Sequence, residues 1–426
     1  MLAARASTAR SVSRAARSFA TVSDTAGLKL AAIDQGQPTA AVTFLVKAGT
    51  RYETKPGVAH ALKNFAFKST PKRSAIGTVR ESELYGGVLS ASHTREHLAL
   101  TAEFLRGDEA FFVDVLSSFI TSAKYTRHEF QEYVTPVVES ETTAATSDPA
   151  TQALEVAHSI AFRSGLGLPL FAPTHNSITA EDIKSFASSA FSKGNLAVIG
   201  TGIDQATLTK LVEKSLGSIA TSSTAPTTSA SKYYGGETRL EAHGGPQTVF
   251  IGFGTTGAPS AELAALAAHL STQSAVKWSK GLSPIATSIP EGTSVQSVYL
   301  PYSDATLFGL LVQGSTAAGV KEAGTIAVKA LKDASAGIKG EDVKKAVAKA
   351  KFSAASATDS RDGLISLFGS QILSGTGASL DAALASLDKV NEAALSKAAS
   401  SLFKAKPTYV AIGDVHSLPF ADELGL

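Results

Sequence analysis

The stretch GVAHALKNFAFKST, residues 57–70, decides how the rest of this chain is interpreted. Its apolar residues recur at helical spacing, which predicts a helix from residue 57 to about residue 68. Residues three and four positions apart are neighbours on a helix surface. His60, Lys63 and Asn64 are therefore expected on one face of this helix.

That face lacks the groups that zinc-dependent hydrolysis requires. A catalytic zinc ion takes three protein ligands and a water molecule, which a carboxylate then activates. A protonated Lys63 has no lone pair to offer and places positive charge beside any cation, and Asn64 is a poor zinc ligand. Only His60 remains. We therefore expect no catalytic residue, no bound metal and no cofactor here.

The same stretch resembles the zinc helix of the pitrilysin-type metallopeptidases, the family that includes the mitochondrial processing peptidase. That helix carries the inverted motif H-x-x-E-H, so Lys63 stands at the base position and Asn64 at the second histidine position. The resemblance implies a further glutamate ligand on a later helix and places Glu139 there, with Glu132 seven residues earlier. His60 and Glu139 supply at most two of the three ligands, so all five positions are interpreted as degenerate.

Segments downstream of the helix narrow the resemblance to a non-catalytic branch of that family. ELYGGVLSAS at 83–92, the triplet Thr94-Arg95-Glu96 and EFLR at 103–106 are similar to the second core subunits of mitochondrial ubiquinol–cytochrome c reductase, complex III. The similarity extends from about residue 27 to residue 414. It implies a scaffold on the matrix side of the inner membrane, peripheral and dimeric, with core subunit 1, cytochrome b and cytochrome c1 as partners.

Two other functions stay open at this level. The alpha subunit of the processing peptidase is also degenerate at zinc and helps to bind presequences, but it carries a long glycine-rich loop. The corresponding stretch here, residues 280–296, contains only Gly281 and Gly292. An active metallopeptidase with a different site would need a new carboxylate base and a third ligand.

The chain contains two copies of one design. The closing segment ASSAF at 187–191 followed by LAVIG at 196–200 matches ASSLF at 399–403 followed by YVAIG at 409–413. Such internal repetition indicates duplicated domains. The first copy has predicted strands at 28–33, 40–46, 98–104 and 195–199 and predicted helices at 57–68, 109–122, 129 onward and 179–192. The second has predicted strands at 238–242, 248–253, 305–313 and 408–412 and predicted helices at 260–270, 320–334, 340 onward and 391–404.

This mixture without strict strand–helix alternation predicts an α+β fold, in which helices pack on a mostly antiparallel sheet in each copy. The stretch between the copies is rich in Ser, Thr, Ala and Gly, which is typical of a linker. The expected organisation is a transit peptide at 1–20, a peptidase-like domain at 21–216, a linker at 217–236 and a second peptidase-like domain at 237–426.

The first twenty residues are typical of a mitochondrial transit peptide. They contain four arginines and several serines but no acidic residue, and the arginines at 10, 14 and 17 fall on one side of a helix. Arg17-Ser18-Phe19-Ala20 resembles a matrix processing site, with cleavage after Phe19.

Composition excludes several other functions. The chain has no cysteine, which rules out disulfides, thiolate metal ligands and a cysteine nucleophile. A formal net charge of +2 gives no reason to expect a nucleic-acid partner. No apolar run approaches the roughly 20 residues that a transmembrane helix needs.

Three further motifs are interpreted as structural. GFGTTG at 252–257 has the dinucleotide-binding spacing, but no acidic residue lies about 20 residues beyond it. His93 and His97 stand four apart in a strand-like segment, where such pairs are distant, so we expect them to face solvent or form hydrogen bonds. A run of lysines is expected on a solvated helix face: Lys344, Lys345, Lys349 and Lys351.

Overall fold

The computed structural model describes residues 23–25, 27–34, 36–217, 219, 229–274, 281, 283–374 and 379–426. The predicted transit peptide at 1–20 lies outside the described residues, as does much of the predicted linker, namely 218 and 220–228.

Two sheets account for the strands of the described chain. The strands are β1 (Ser23–Thr25), β2 (Leu28–Ile33), β3 (Thr39–Val46), β4 (Val88–His93), β5 (Leu98–Leu105), β6 (Leu196–Thr201), β7 (Gly236–Glu241), β8 (Gln247–Thr256), β9 (Thr293–Pro301), β10 (Ala305–Gly314) and β11 (Thr408–Gly413). The first sheet has the order β1-β2-β6-β3-β5-β4 and the second has the order β7-β11-β8-β10-β9.

Fourteen α-helical segments surround these sheets in the described residues. They are α1 (Val58–Phe65), α2 (Ala75–Leu84), α3 (Glu109–Ser122), α4 (Arg127–Glu129), α5 (Thr135–Ser147), α6 (Pro149–Phe162), α7 (Ala180–Ala190), α8 (Gln205–Leu216), α9 (Ala261–Leu270), α10 (Ala317–Ala336), α11 (Gly340–Ala357), α12 (Arg361–Ser374), α13 (Leu380–Asp388) and α14 (Glu392–Lys404). A π-helical turn, Phe130–Val134, joins α4 to α5.

The two sheets repeat one topology, which confirms the α+β fold of two related units. In each sheet the first strand of the repeat pairs parallel to the last, as β2 does with β6 and β7 with β11. The other pairs that the two sheets share are antiparallel. Each strand and helix predicted from the sequence is present, with shifts of a few residues at the ends.

Of the four edge strands in the described residues, the sequence analysis predicted β7 and missed β1, β4 and β9. β4 alternates exposed and half-buried residues, and β9 has only isolated buried residues, so neither has the buried apolar run that marks a central strand. It also missed α2, α6, α8, α12 and α13. Two of these, α6 and α12, connect the two units.

Each unit buries its own helices on one face of its sheet and a helix from the other unit on the opposite face. Helix α12, from the second unit, packs Leu364, Phe368 and Ile372 against the first sheet, where they meet Leu45 and Ile199. Helix α6, from the first unit, packs on the second sheet. Its core contacts include Ala157, Ala161 and Phe162 from the helix and Phe250, Leu307 and Val410 from the sheet. This exchange ties the two units together through two separate apolar cores.

The exchange predicts that truncating Phe368 of α12, a side chain only 1% exposed, destabilises the fold strongly. We expect Phe368→Ala to lower the free energy of unfolding by about 3–5 kcal/mol, because it removes a buried ring and leaves a cavity. Denaturant unfolding followed by circular dichroism measures the effect. The control is Phe352→Ala in α11, where the side chain is 63% exposed and the expected change is within about 0.5 kcal/mol. Equal effects of the two changes would contradict the packing role of α12.

Candidate functional site

Helix α1 is positioned at its N-terminus by a backbone turn and a carboxylate. Gly57 has a φ of 91°, and a Cβ there would lie 2.5 Å from Cβ of Ala172, so only glycine fits. The Glu53 Oε2 atom accepts hydrogen bonds from the backbone N–H groups of Gly57 at 3.1 Å and Ala59 at 3.2 Å. These bonds satisfy donors that the first turn of a helix leaves free.

Three side chains of α1 converge on one carboxylate of α5, that of Glu141. His60 Nε2 lies 2.6 Å from Glu141 Oε2, Asn64 Nδ2 lies 2.8 Å from the same oxygen, and Lys63 Nζ lies 2.5 Å from Oε1. The structure therefore confirms that His60, Lys63 and Asn64 share one helix face. Both oxygens of Glu141 are occupied by donors from α1.

The structure corrects the glutamate assigned by resemblance. Glu141, not Glu139, faces α1, because two residues along a helix turn the side chain by roughly 200°. Glu139 is exposed to solvent on the far side of α5. Glu132 is also exposed and pairs with His128, its Oε1 lying 3.0 Å from Nδ1. Neither Glu132 nor Glu139 belongs to this site.

The contacts of His60 fix its protonation. Its Nδ1 accepts a hydrogen bond from the backbone N–H of Ala172 at 3.1 Å, so the proton sits on Nε2 and is donated to Glu141. Burial lowers the pKa of His60 and outweighs the opposing hydrogen bond to Glu141, which keeps the ring neutral at pH 7. Burial alone would raise the pKa of Glu141, but the hydrogen bonds from Lys63, Asn64 and His60 outweigh it and lower that pKa to about 2.

These residues do not fit a zinc ion. Both ring nitrogens of His60 are engaged, the third ligand position is an amide, and an ammonium group lies against the only carboxylate. In the described part of the chain, no group of three or more His, Asp or Glu side chains could hold a metal. A cavity of about 530 Å³ is present elsewhere, lined by Thr101, Glu103 and Asp359 among others, and it includes none of the α1 residues.

The two histidines of the β4–β5 hairpin, His93 and His97, differ in their hydrogen bonding. The His93 ring stacks on that of His60 with centroids 5.2 Å apart, and its Nε2 donates to the Leu170 carbonyl oxygen at 2.9 Å. His97 is buried, and neither ring nitrogen has a hydrogen-bond partner, contrary to expectation. Burial lowers the pKa of both rings to about 4.

Glu96, one of the two residues of the Arg95-Glu96 motif that marked the resemblance, joins the two units. Glu96 lies in the hairpin turn between β4 and β5, and its carboxylate accepts hydrogen bonds from the Ser303 N–H at 3.0 Å and from Arg51 at 2.9 Å. Arg51 also forms a bidentate pair with Asp304, with both contacts at 2.7 Å. Ser303 and Asp304 lie in the corresponding turn of the second unit, between β9 and β10.

Arg95 points to a different partner, within the first unit. Its Nη2 lies 2.7 Å from Oε1 of Glu155 in α6, and its Nε donates to the Leu166 carbonyl oxygen at 3.0 Å. In the same helix, His158 Nε2 lies 2.8 Å from the Tyr302 hydroxyl of the second unit.

Sequence reasoning missed Arg51, and no local signal identifies it, because its partners are distant in sequence.

The remaining motifs are structural. Residues 252–256 of the GFGTTG segment lie in β8 and pair with β10, so they form no phosphate-binding loop. A Cβ at Gly252 would lie 2.3 Å from the Phe250 ring, which explains the glycine there. Among the lysines of α11, Lys344 and Lys345 are exposed as expected, whereas Lys349 donates to the Ser271 and Gln273 carbonyl oxygens at 2.9 and 2.7 Å.

The chain is similar in sequence to known proteins over most of its length. Residues 29–174 match the model of the insulinase family of peptidases, M16, and residues 177–350 match the model described as the M16 inactive domain. The subunit 2 of the mitochondrial cytochrome b-c1 complex from Cryptococcus neoformans is 45% identical over 91% of this chain and 90% of its own length. The protein of that name from Neurospora crassa is 40% identical over 94% and 90%, and the human one is 27% identical over 93% and 90%.

The contacts of Arg51 with Glu96 and Asp304 predict that Arg51 stabilises the fold strongly. Its side chain is 4% exposed, and Arg51→Met would leave Glu96 buried beside Asp304 without their shared cation. We expect the free energy of unfolding to fall by about 3–5 kcal/mol. The control is Arg106→Met, which breaks a surface pair with Asp34 and is expected to change stability far less, because solvent screens that pair. A change of the same small size at both positions, measured by urea unfolding, would contradict the role of Arg51.

Glu53 predicts a pH dependence of stability. Burial raises the pKa of this carboxyl from its ordinary 4.5 to about 7, against the opposing pull of the Ala59 and Gly57 N–H groups. The native state then holds a proton that the unfolded state releases, so stability from this group is lost as pH rises from about 4.5 to about 7. Glu53→Gln should remove about 1–3 kcal/mol of that decline, measured by denaturant unfolding between pH 5 and pH 8. The exposed control Glu83→Gln should leave the decline intact.

Proposed function

The chain belongs to the M16 family of peptidases, among the mitochondrial cytochrome b-c1 complex subunit 2 proteins, and on that premise we propose that it is a structural core subunit of respiratory complex III. The observation that carries the proposal is the 45% identity to a protein of that name over nine-tenths of both chains. The complex transfers electrons from ubiquinol to cytochrome c, and this subunit contributes a scaffold to it.

The chain is not an enzyme. Water activation at zinc needs a carboxylate base and three ligands, and the family positions here hold a lysine, an asparagine and a neutral histidine donating to Glu141. Under this proposal the useful part of the fold is its outer surface. The exchange of α6 and α12 between the units supports such a role, because it joins the two units through shared apolar cores.

The partners are the other subunits of the complex, and we propose core subunit 1, cytochrome b and cytochrome c1 among them, in a dimeric assembly. We place the chain in mitochondria, peripheral to the inner membrane on its matrix side. Among the described residues, no helix combines the length and apolarity needed to cross a membrane. The alternative, an alpha subunit of the processing peptidase, is not favoured, because the relatives that match nearly the whole chain carry the subunit 2 name.

Native electrophoresis of detergent-solubilised mitochondria tests membership of the complex. We expect the chain, identified by mass spectrometry of gel slices, to migrate with the bands that contain haems b and c1. Migration with the processing peptidase alone would contradict the proposal. Metal analysis of the purified chain should at the same time find no stoichiometric zinc.

Fractionation tests the proposed position at the membrane. Alkaline carbonate, which strips peripheral proteins, should release the chain while membrane-spanning cytochrome b stays in the pellet. Protease added to mitoplasts should leave the chain intact if it faces the matrix. Cleavage in mitoplasts before detergent is added would place it on the opposite side.

A further inference from the structure

The α1 face differs from a zinc site in one specific way. The position of the family's base holds Lys63, and Lys63 contacts Glu141, the glutamate that faces α1. We propose that the ammonium group of Lys63 replaces the positive charge of the metal, holding α1 to α5 and closing the site to divalent cations. This proposal goes beyond the proposed function and concerns the chain by itself.

The geometry places Lys63 where a shared cation is needed. Its Nζ lies 2.5 Å from Glu141 Oε1, while His60 and Asn64 occupy Oε2 at 2.6 and 2.8 Å. Glu141 is 33% exposed at its side chain, Lys63 is 18% exposed and His60 is fully buried. Partial burial removes some of the water around this carboxylate, and pairing and hydrogen bonds offset that loss. The three donors of α1 provide that pairing.

The charges also balance. In the H-x-x-E-H arrangement, a zinc ion with two positive charges faces two carboxylates and two neutral histidines, so the formal sum is zero. Here Lys63 faces Glu141 beside a neutral His60 and an uncharged Asn64, and the sum is again zero. Replacing glutamate by lysine changes the charge by two units, which equals the charge of the lost metal. The cluster therefore keeps its neutrality without a ligand.

The same contacts exclude a metal. A divalent ion bound by His60 Nε2 and Glu141 would have to displace the hydrogen bond between them and would lie next to the Lys63 ammonium. Repulsion from an ammonium group this close would oppose binding even if a third ligand were supplied. Lys63 therefore opposes metal binding independently of the missing histidine and of the proton on His60 Nε2.

Unfolding of the purified full chain tests the first half of the proposal. We expect Lys63→Met to lower the apparent Tm by about 3–6 °C, because Glu141 loses its counter-charge. The matched control is Lys72→Met, since Lys72 makes a 2.6 Å pair with Asp114 but is 60% exposed, and its Tm should change by less than about 1 °C. Equal shifts for the two variants would overturn the proposal. If Lys63→Met does not fold, Lys63→Arg decides: a folded arginine variant supports a role for charge, and an unfolded one rejects it.

Zinc uptake tests the second half. Asn64→His supplies the third ligand but keeps the ammonium, whereas Lys63→Met with Asn64→His supplies it and removes the ammonium. After dialysis against zinc, the double variant should hold about one zinc per chain and gain thermal stability, and Asn64→His alone should hold almost none. Equal uptake by both variants, or none by the double variant, would refute exclusion by Lys63. Because these measurements need no other subunit, they are independent of the native-gel result.

Discussion

The structure depends on a constraint that apolar sheet faces impose: the central strands of both sheets are apolar on both faces, so both faces must be kept from water. Each unit covers one face with its own helices and leaves the other apolar, and the helix that buries this second face comes from the other unit. Residues of α12 such as Phe368 thus belong to the core of a sheet built more than 160 residues earlier in the chain. Neither unit covers both faces of its sheet alone, and the two units are joined by shared apolar cores.

The charged turns follow from the same exchange. Once α6 and α12 have crossed, the hairpin turn at Glu96 meets the corresponding turn at Asp304, and Arg51 neutralises both carboxylates. An Arg-Glu pair in a strand-like segment looks like surface charge in a sequence. In the structure both residues are buried, and Glu96 contacts the second unit through Ser303.

The site on α1 shows how a peptidase fold persists without its chemistry. The carboxylate of Glu141 and the imidazole of His60 remain, but they bond to each other and to Lys63 and Asn64. Three donors of α1 converge on the two oxygens of Glu141, so the cluster holds α1 against α5. Such a contact between helices suits a scaffold, whereas a zinc hydrolase needs an open coordination position at its metal.

The sequence alone determined the features set by local periodicity and by residue chemistry. The helix at α1, the shared face of His60, Lys63 and Asn64, the duplicated strands and the loss of a zinc base all follow from patterns within a few residues. Tertiary structure decided the rest. Which glutamate faces α1 depends on how α5 is rotated about its axis, and neighbouring residues cannot fix that rotation, so Glu139 was predicted and Glu141 was found. The partners of Arg51 and the crossing of α6 and α12 join residues far apart in the chain, and only packing brings them together.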